Sequence, residues 1–277
     1  MAGILYLVPT PIGNLGDISD RCRKTLAEAD FIAAEDTRVS VKLLNHLEIK
    51  KPMVSYHEHN KKESGEKVLA RLLEGQTCAL VTDAGSPAIS DPGEDLVRLC
   101  AENGVQIIAI PGPCALVTAL SISALPTGRF CFEGFLPVPK KERQARLSGL
   151  VRESRTMIFY EAPHKLRATL SDLMGAFGGE RRISLCRELT KLHEQVQRMT
   201  LSQAVDFYKE NEPRGEYVLV VEGAAEEVSE AVTEADALSL VKTLMERGLS
   251  KKDAVKQVAK ETGISKNALY DAALGLE

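Results

Sequence analysis

The chain of 277 residues has no run of about 20 uninterrupted apolar residues, so no segment reads as a membrane-spanning helix. Its opening stretch, Ala2 to Val8, is too short for a secretion signal and lacks a basic lead-in. Excess positive charge is also missing. Lys plus Arg total 35 against 39 for Asp plus Glu, a formal charge of −4, so contact with an acidic polymer would have to come from local patches. There is no Cys-x-x-Cys pair among the six cysteines (Cys22, Cys78, Cys100, Cys114, Cys131 and Cys186). Most lie in apolar surroundings, which reads as reduced, buried thiols in a cytoplasmic protein and disfavours a zinc site. Neither Gly-x-Gly-x-x-Gly nor a Walker A motif occurs, which disfavours a Rossmann dehydrogenase and a P-loop NTPase.

What is present is a strand–helix rhythm. Ile4–Val8, Phe31–Ala34, Met53–Ser55, Cys78–Val81 and Val105–Ile110 are short apolar runs that read as buried strands. The stretches Ser64–Leu73 and Glu94–Glu102 between them carry apolar residues at helical spacing. The alternation predicts a mostly parallel sheet with helices on its faces over residues 1–124. A break in composition at Leu125-Pro126-Thr127-Gly128 opens a second α/β domain, 125–223, with strands expected at Thr156–Tyr160, Arg182–Cys186 and Glu216–Val221. Helices are expected there at Lys165–Phe177 and Ser202–Tyr208. Residues 224–234 read as an acidic linker, and 235–277 as a small helical tail. In the tail, Ser250 and Asp253 open one short helix, Gly263 ends it and Ser265 opens another, a helix-turn-helix pattern.

Ligands in parallel α/β sheets bind beyond the carboxyl ends of the strands, so the loops after the strands carry the chemical information. Pro9-Thr10-Pro11-Ile12-Gly13-Asn14 follows the first strand, and the long loop Asp83 to Gly93 follows the fourth. Pro111-Gly112-Pro113-Cys114-Ala115 follows the fifth and runs directly into a helix. Three such loops at one sheet edge imply a binding cleft. Ala34-Glu35-Asp36-Thr37-Arg38 places two carboxylates, a hydroxyl and a guanidinium together after the second strand. Asp36 or Thr37 could equally cap the helix that follows. His57 and His59 form a His-x-His pair without further clustered ligands, so no metal is expected. Lys140, Lys141, Arg143 and Arg146, read as a loop after Pro137-Val138-Pro139, are four basic residues in seven positions that could grip phosphates.

Taken in order, these loops resemble the ribosomal RNA small subunit methyltransferase I family of the tetrapyrrole methylase superfamily. The resemblance also runs through Phe132-Glu133-Gly134-Phe135-Leu136-Pro137, Phe159-Tyr160-Glu161 with His164, Arg187-Glu188-Leu189-Thr190-Lys191 and Gly215-Glu216-Tyr217-Val218-Leu219. It extends from about residue 4 to residue 223 and more loosely into Lys266-Asn267-Ala268-Leu269-Tyr270. It implies two α/β domains with S-adenosylmethionine in the cleft between them, a small C-terminal helical segment, and a homodimer. It further implies methylation of a cytidine ribose 2′-hydroxyl in 16S rRNA of the small ribosomal subunit, near the decoding centre. Carried over by motif, the cofactor would lie against Ile12, Ala84, Gly85, Ser86, Ile89, Cys114 and Ala115, with Glu161 approaching from the second domain. The wider superfamily often has aspartate where this chain has Ser86. For the reaction, Glu35 or Asp36 is expected as base or orienting acceptor and Arg38 as a phosphate anchor, with His57 as another option for the base. Two further readings share these features: a methyltransferase acting on a tetrapyrrole, and a ribosome-assembly or RNA-binding protein.

Overall fold

The computed structural model describes residues 2–225 and 233–275. The acidic stretch read as a linker, 224–234, therefore lies mostly outside the described residues. The described chain forms two units, Met1–Ala224 and Ala225–Glu277.

The first half of the larger unit runs β1 (Ile4–Leu7), α1 (Asp20–Glu28), β2 (Phe31–Ala34), α2 (Thr37–His46), β3 (Met53–Ser55), α3 (Lys61–Leu73), β4 (Cys78–Val81), α4 (Gly93–Glu102), β5 (Gln106–Ala109) and α5 (Ala115–Ile122). All strand pairings are parallel, in the order β3-β2-β4-β1-β5. Helices on both faces explain the continuous apolar runs: Ile32 and Ala34 pack with residues of α1 and α2, while Phe31 and Ala33 pack with α3 and α4. The chain steps outward from β1 to β3 and then back through β4 to β5, so the loops after β1 and β4 lie side by side. Thr10 and Gly85 close that contact with paired backbone hydrogen bonds of 2.9 and 3.0 Å.

The second half runs β6 (Phe130–Phe135), α6 (Lys140–Leu150), β7 (Thr156–Glu161), α7 (Pro163–Phe177), β8 (Arg182–Arg187), β9 (Gln195–Thr200), α8 (Leu201–Glu210) and β10 (Tyr217–Val221). Its mixed sheet has the order β6-β7-β10-β8-β9. Met157 and Phe159 face the core shared with α6, α7 and α8, and Ile158 faces the other way. That other face is covered by α5, whose Leu116, Ala119 and Leu120 pack on Ile158, Cys186, Val218 and Val220. Helix α5 thus leaves the first sheet and docks on the second, joining the two lobes of this unit. The run Lys140–Arg146, expected as a loop, is instead the start of α6: Pro139 precedes a stretch of good helix formers that buries Leu147 and Leu150.

The smaller unit holds α9 (Glu234–Glu246), α10 (Lys251–Thr262) and α11 (Lys266–Ala272). Ser250 caps α10 through the Asp253 N–H, and Gly263 ends it in the left-handed region at φ 72°. Ala237, Val241, Ala254, Val255, Val258 and Leu269 form this unit's own core. Among the described residues no helix is long and apolar enough to cross a membrane.

Candidate active site

A cavity of 450 Å³ lies between the carboxyl ends of the first sheet and the second lobe. Three loops build its floor, and hydrogen bonds tie them together. Thr10 pairs with Gly85, the Ser86 hydroxyl donates to the Pro113 carbonyl at 3.0 Å, and the Thr10 hydroxyl donates to the Thr82 carbonyl at 3.1 Å. Within the loop from Asp83 to Gly93 the backbone is strained, since Ala88 and Ser90 hold φ of 68° and 65° without being glycine. The Asp91 carboxylate keeps that shape by accepting the N–H groups of Ala88, Ile89 and Gly93 at 3.0, 3.2 and 2.7 Å. Gly85, at φ 88°, supplies the positive dihedral needed beside Thr10; a Cβ there would meet Ile12 at 3.4 Å.

Ile12, Ala84, Gly85, Ser86, Ile89, Cys114, Ala115 and Glu161, the residues the resemblance assigns to cofactor contact, all line this cavity. Glu161 is 4% exposed at the end of β7. Its carboxylate accepts the Ala162 N–H at 2.9 Å and the hydroxyl of the fully buried Thr169, and takes no other hydrogen bond among the described residues. Tyr160 shares the wall, its phenol pushed up to about 12 by burial.

Glu35 and Asp36 part company. Glu35 lines the cavity, with one carboxylate oxygen accepting the Thr82 hydroxyl at 2.6 Å. Asp36 is instead the N-cap of α2, accepting the Arg38 N–H at 2.8 Å and gripping the Arg38 guanidinium through Nε and Nη2. These bonds from Arg38 hold its carboxyl well below the usual range, at about 2. Neither Asp36 nor Arg38 is among the lining residues. The exposed Arg38 side chain is paired to Asp36 at 2.7 Å. His57 lies outside the cavity, its ring edge-on to His59 at 6.0 Å. Sequence reasoning passed over Asp83. It lines the cavity, and its carboxyl is pushed up by partial burial and by the neighbouring Glu35 charge. Its place two residues past the end of β4, at the start of the long loop, was the available signal.

The basic run divides similarly. Lys140, Lys141 and Arg146 are exposed on α6, with Arg146 3.2 Å from Glu133. Arg143 turns inward. Its side chain is 12% exposed, its Nε donates to Asp172 at 2.5 Å and its Nη2 to Thr169 at 2.7 Å. Arg143 therefore braces the threonine that holds Glu161. Among the described residues, no three His, Cys, Asp or Glu side chains gather as a metal site would require.

The family model for tetrapyrrole (corrin/porphyrin) methylases matches residues 4–205, and that for the RsmI C-terminal HTH domain matches residues 231–277. The ribosomal RNA small subunit methyltransferase I of Synechocystis sp. is 49% identical over 275 residues, covering 99% of this chain and 99% of that protein. Its counterpart from Halalkalibacterium halodurans is 48% identical over 272 residues, covering 97% and 94%. Among solved structures, the uroporphyrin-III C-methyltransferase of Thermus thermophilus complexed with S-adenyl homocysteine superposes with a TM-score of 0.57. It is 17% identical and covers 79% of this chain and 97% of that one. The chain belongs to the tetrapyrrole methylase family and, within it, to the ribosomal RNA small subunit methyltransferase I family.

Proposed function

We propose that this protein transfers a methyl group from S-adenosylmethionine to the ribose 2′-hydroxyl of a cytidine in 16S rRNA, near the decoding centre of the small ribosomal subunit. It works in the cytoplasm as a homodimer, with α/β domains at 1–124 and 125–223, a linker at 224–234 and a tail at 235–277. The observation that carries the reading is a single cavity lined by all the expected cofactor residues, in a chain alike over nearly its full length to relatives named ribosomal RNA small subunit methyltransferase I.

The residues present fit the cofactor. The cavity volume lies within the ~300–1,000 Å³ usual for such ligands, and its walls are largely apolar. Glu161 is a buried carboxylate without a cationic partner among the described residues, which suits a ligand carrying ammonium and sulfonium charge. When bound, S-adenosylmethionine supplies an electrophilic methyl on sulfur. The chain's part is alignment of the acceptor hydroxyl, and proximity and orientation can lower such barriers by roughly 7–11 kcal/mol. Glu35, which lines the same cavity, is the acceptor for the ribose proton. Lys140, Lys141 and Arg146 offer phosphate contacts, while Arg143 is spent inside the fold.

Radiolabelled methyl transfer should appear at a single ribose 2′-oxygen in 30S subunits from a strain lacking the protein, mapped by nuclease digestion. Naked 16S rRNA and a tetrapyrrole precursor are assayed alongside. Label on the tetrapyrrole alone would replace the RNA reading with the small-molecule one. Thiol chemistry gives a second check. Cys22, Cys78, Cys100 and Cys186 are buried, and the half-buried Cys131 thiol is pushed up to about 11, whereas the half-buried Cys114 lines the cavity. A maleimide should modify Cys114 first, and S-adenosylmethionine should slow that reaction severalfold; an unchanged rate would remove Cys114 from the cofactor site.

A further inference from the structure

Strand β6 reads Phe130-Cys131-Phe132-Glu133-Gly134-Phe135, and strict alternation would place Phe135 on the same face as Cys131, against the core under α6 and α7. It does not end there. The register against β7 skips Glu133: Phe132 pairs with Ile158, and Gly134 with Phe159. This bulge inverts the phase of the strand, and Gly134 makes it with φ 62° at a place where a Cβ would meet the Ser90 hydroxyl at 3.1 Å. Phe132 and Phe135 consequently share one face, both edge-to-face with Tyr160 at centroid distances of 4.9 and 5.7 Å. Phe135 lines the cavity yet is 56% exposed, so it sits at the mouth. Three residues on, Val138 is 73% exposed, and the exposed Lys140 and Lys141 follow.

A bulge that takes a large aromatic out of the core and sets it at a cavity mouth, a few residues before two exposed lysines, fits a single-stranded nucleic acid. Such chains are held by bases stacked on aromatic rings and phosphates drawn to basic side chains. We propose that Phe135 is the stacking platform for the nucleobase of the methylated nucleotide, orienting its ribose into the cavity, with Lys140 and Lys141 on the adjoining phosphates. This rests on the reading of RNA as the substrate.

The test uses the full-length protein and 30S subunits from a strain lacking it. Phe135→Ala should raise KM for the subunits roughly 5- to 100-fold, the span expected for one lost base stack. Cofactor Kd by calorimetry should stay within about twofold, and gel-filtration elution should not change. Because Phe135 is more than half exposed, its truncation leaves the core intact. Phe135→Tyr should restore KM. Phe135→Trp should keep activity and, in a chain with no other tryptophan, show emission that falls when subunits bind. Lys140→Ala with Lys141→Ala should instead flatten the salt dependence of KM. An unchanged KM for Phe135→Ala, a weakened cofactor Kd (a platform for the cofactor) or a shift in elution (a contact between copies) would each overturn the proposal. Failure of the unmodified protein to label 30S subunits while binding S-adenosylmethionine would instead overturn the RNA reading itself.

Discussion

Glu161→Gln is expected to weaken S-adenosylmethionine binding roughly ten- to a hundredfold, the effect of losing a charge-assisted hydrogen bond of about 1.5–3 kcal/mol. The carboxylate is 4% exposed, receives only the Ala162 N–H and Thr169 hydroxyl, and meets no cation among the described residues. A buried charge of this kind is unfavourable in the empty protein and is repaid only when a cation binds. The glutamine keeps the shape and removes the charge, but its single amide oxygen can accept from only one of the Ala162 N–H and the Thr169 hydroxyl, so a modest fall in Tm should accompany the loss of affinity. Arg143 enters the same prediction one step back. Because its guanidinium holds both Asp172 and Thr169, Arg143→Gln should lower Tm and also weaken the cofactor, by less than Glu161→Gln does. Calorimetric titration and thermal unfolding of the two variants check this together. Equal affinity of Glu161→Gln and the unaltered protein would detach Glu161 from cofactor binding.

That Arg143 stands in this chain of contacts was not legible in the sequence. There it is one of four basic residues on a short stretch, and its partners Thr169 and Asp172 lie 26 and 29 positions away on another helix. The interior strands were legible because burial on both faces leaves uninterrupted apolar runs, as in Phe31–Ala34 and Cys78–Val81. The two edge strands of the second sheet, β6 and β9, were not. Gln195–Thr200 carries polar residues suited to a half-exposed edge, and the bulge at Gly134 breaks the alternation of Phe130–Phe135. Helix α1 hid for a related reason, with only Cys22 and Leu26 buried in a stretch otherwise charged or small. The loops that build the cavity floor were the most readable part. Glycines and prolines at the carboxyl ends of strands mark places where backbone must turn tightly, and the hydrogen bonds from Thr10 to Gly85 and from Ser86 to Pro113 join those places into one floor.

The adjacent carboxylates Glu35 and Asp36 could not be told apart by sequence, and the structure separates them sharply enough for a paired prediction. Glu35→Gln should lower kcat for methyl transfer about a hundredfold or more, the usual contribution of a positioned base being 10²–10⁴. Its cofactor Kd should stay within about threefold, because glutamine keeps an oxygen for the Thr82 hydroxyl and Glu35 is not among the residues expected to contact the cofactor. Asp36→Asn should do far less to kcat. Asparagine caps a helix as well as aspartate does, so the Arg38 N–H keeps its acceptor and only the exposed ion pair with the Arg38 side chain is lost. The pH dependence of the cap follows from the same geometry. A carboxyl held near 2 in the folded protein and near 3.8 when free contributes stability above the higher value, which is lost as pH falls toward 2. A carbon-13 titration of the Asp36 carboxyl should show a midpoint near 2. Single-turnover rates of the two variants on 30S subunits then decide the chemistry: if Asp36→Asn fell as far as Glu35→Gln, the base would lie on the cap, and Arg38 would have to release Asp36 during turnover.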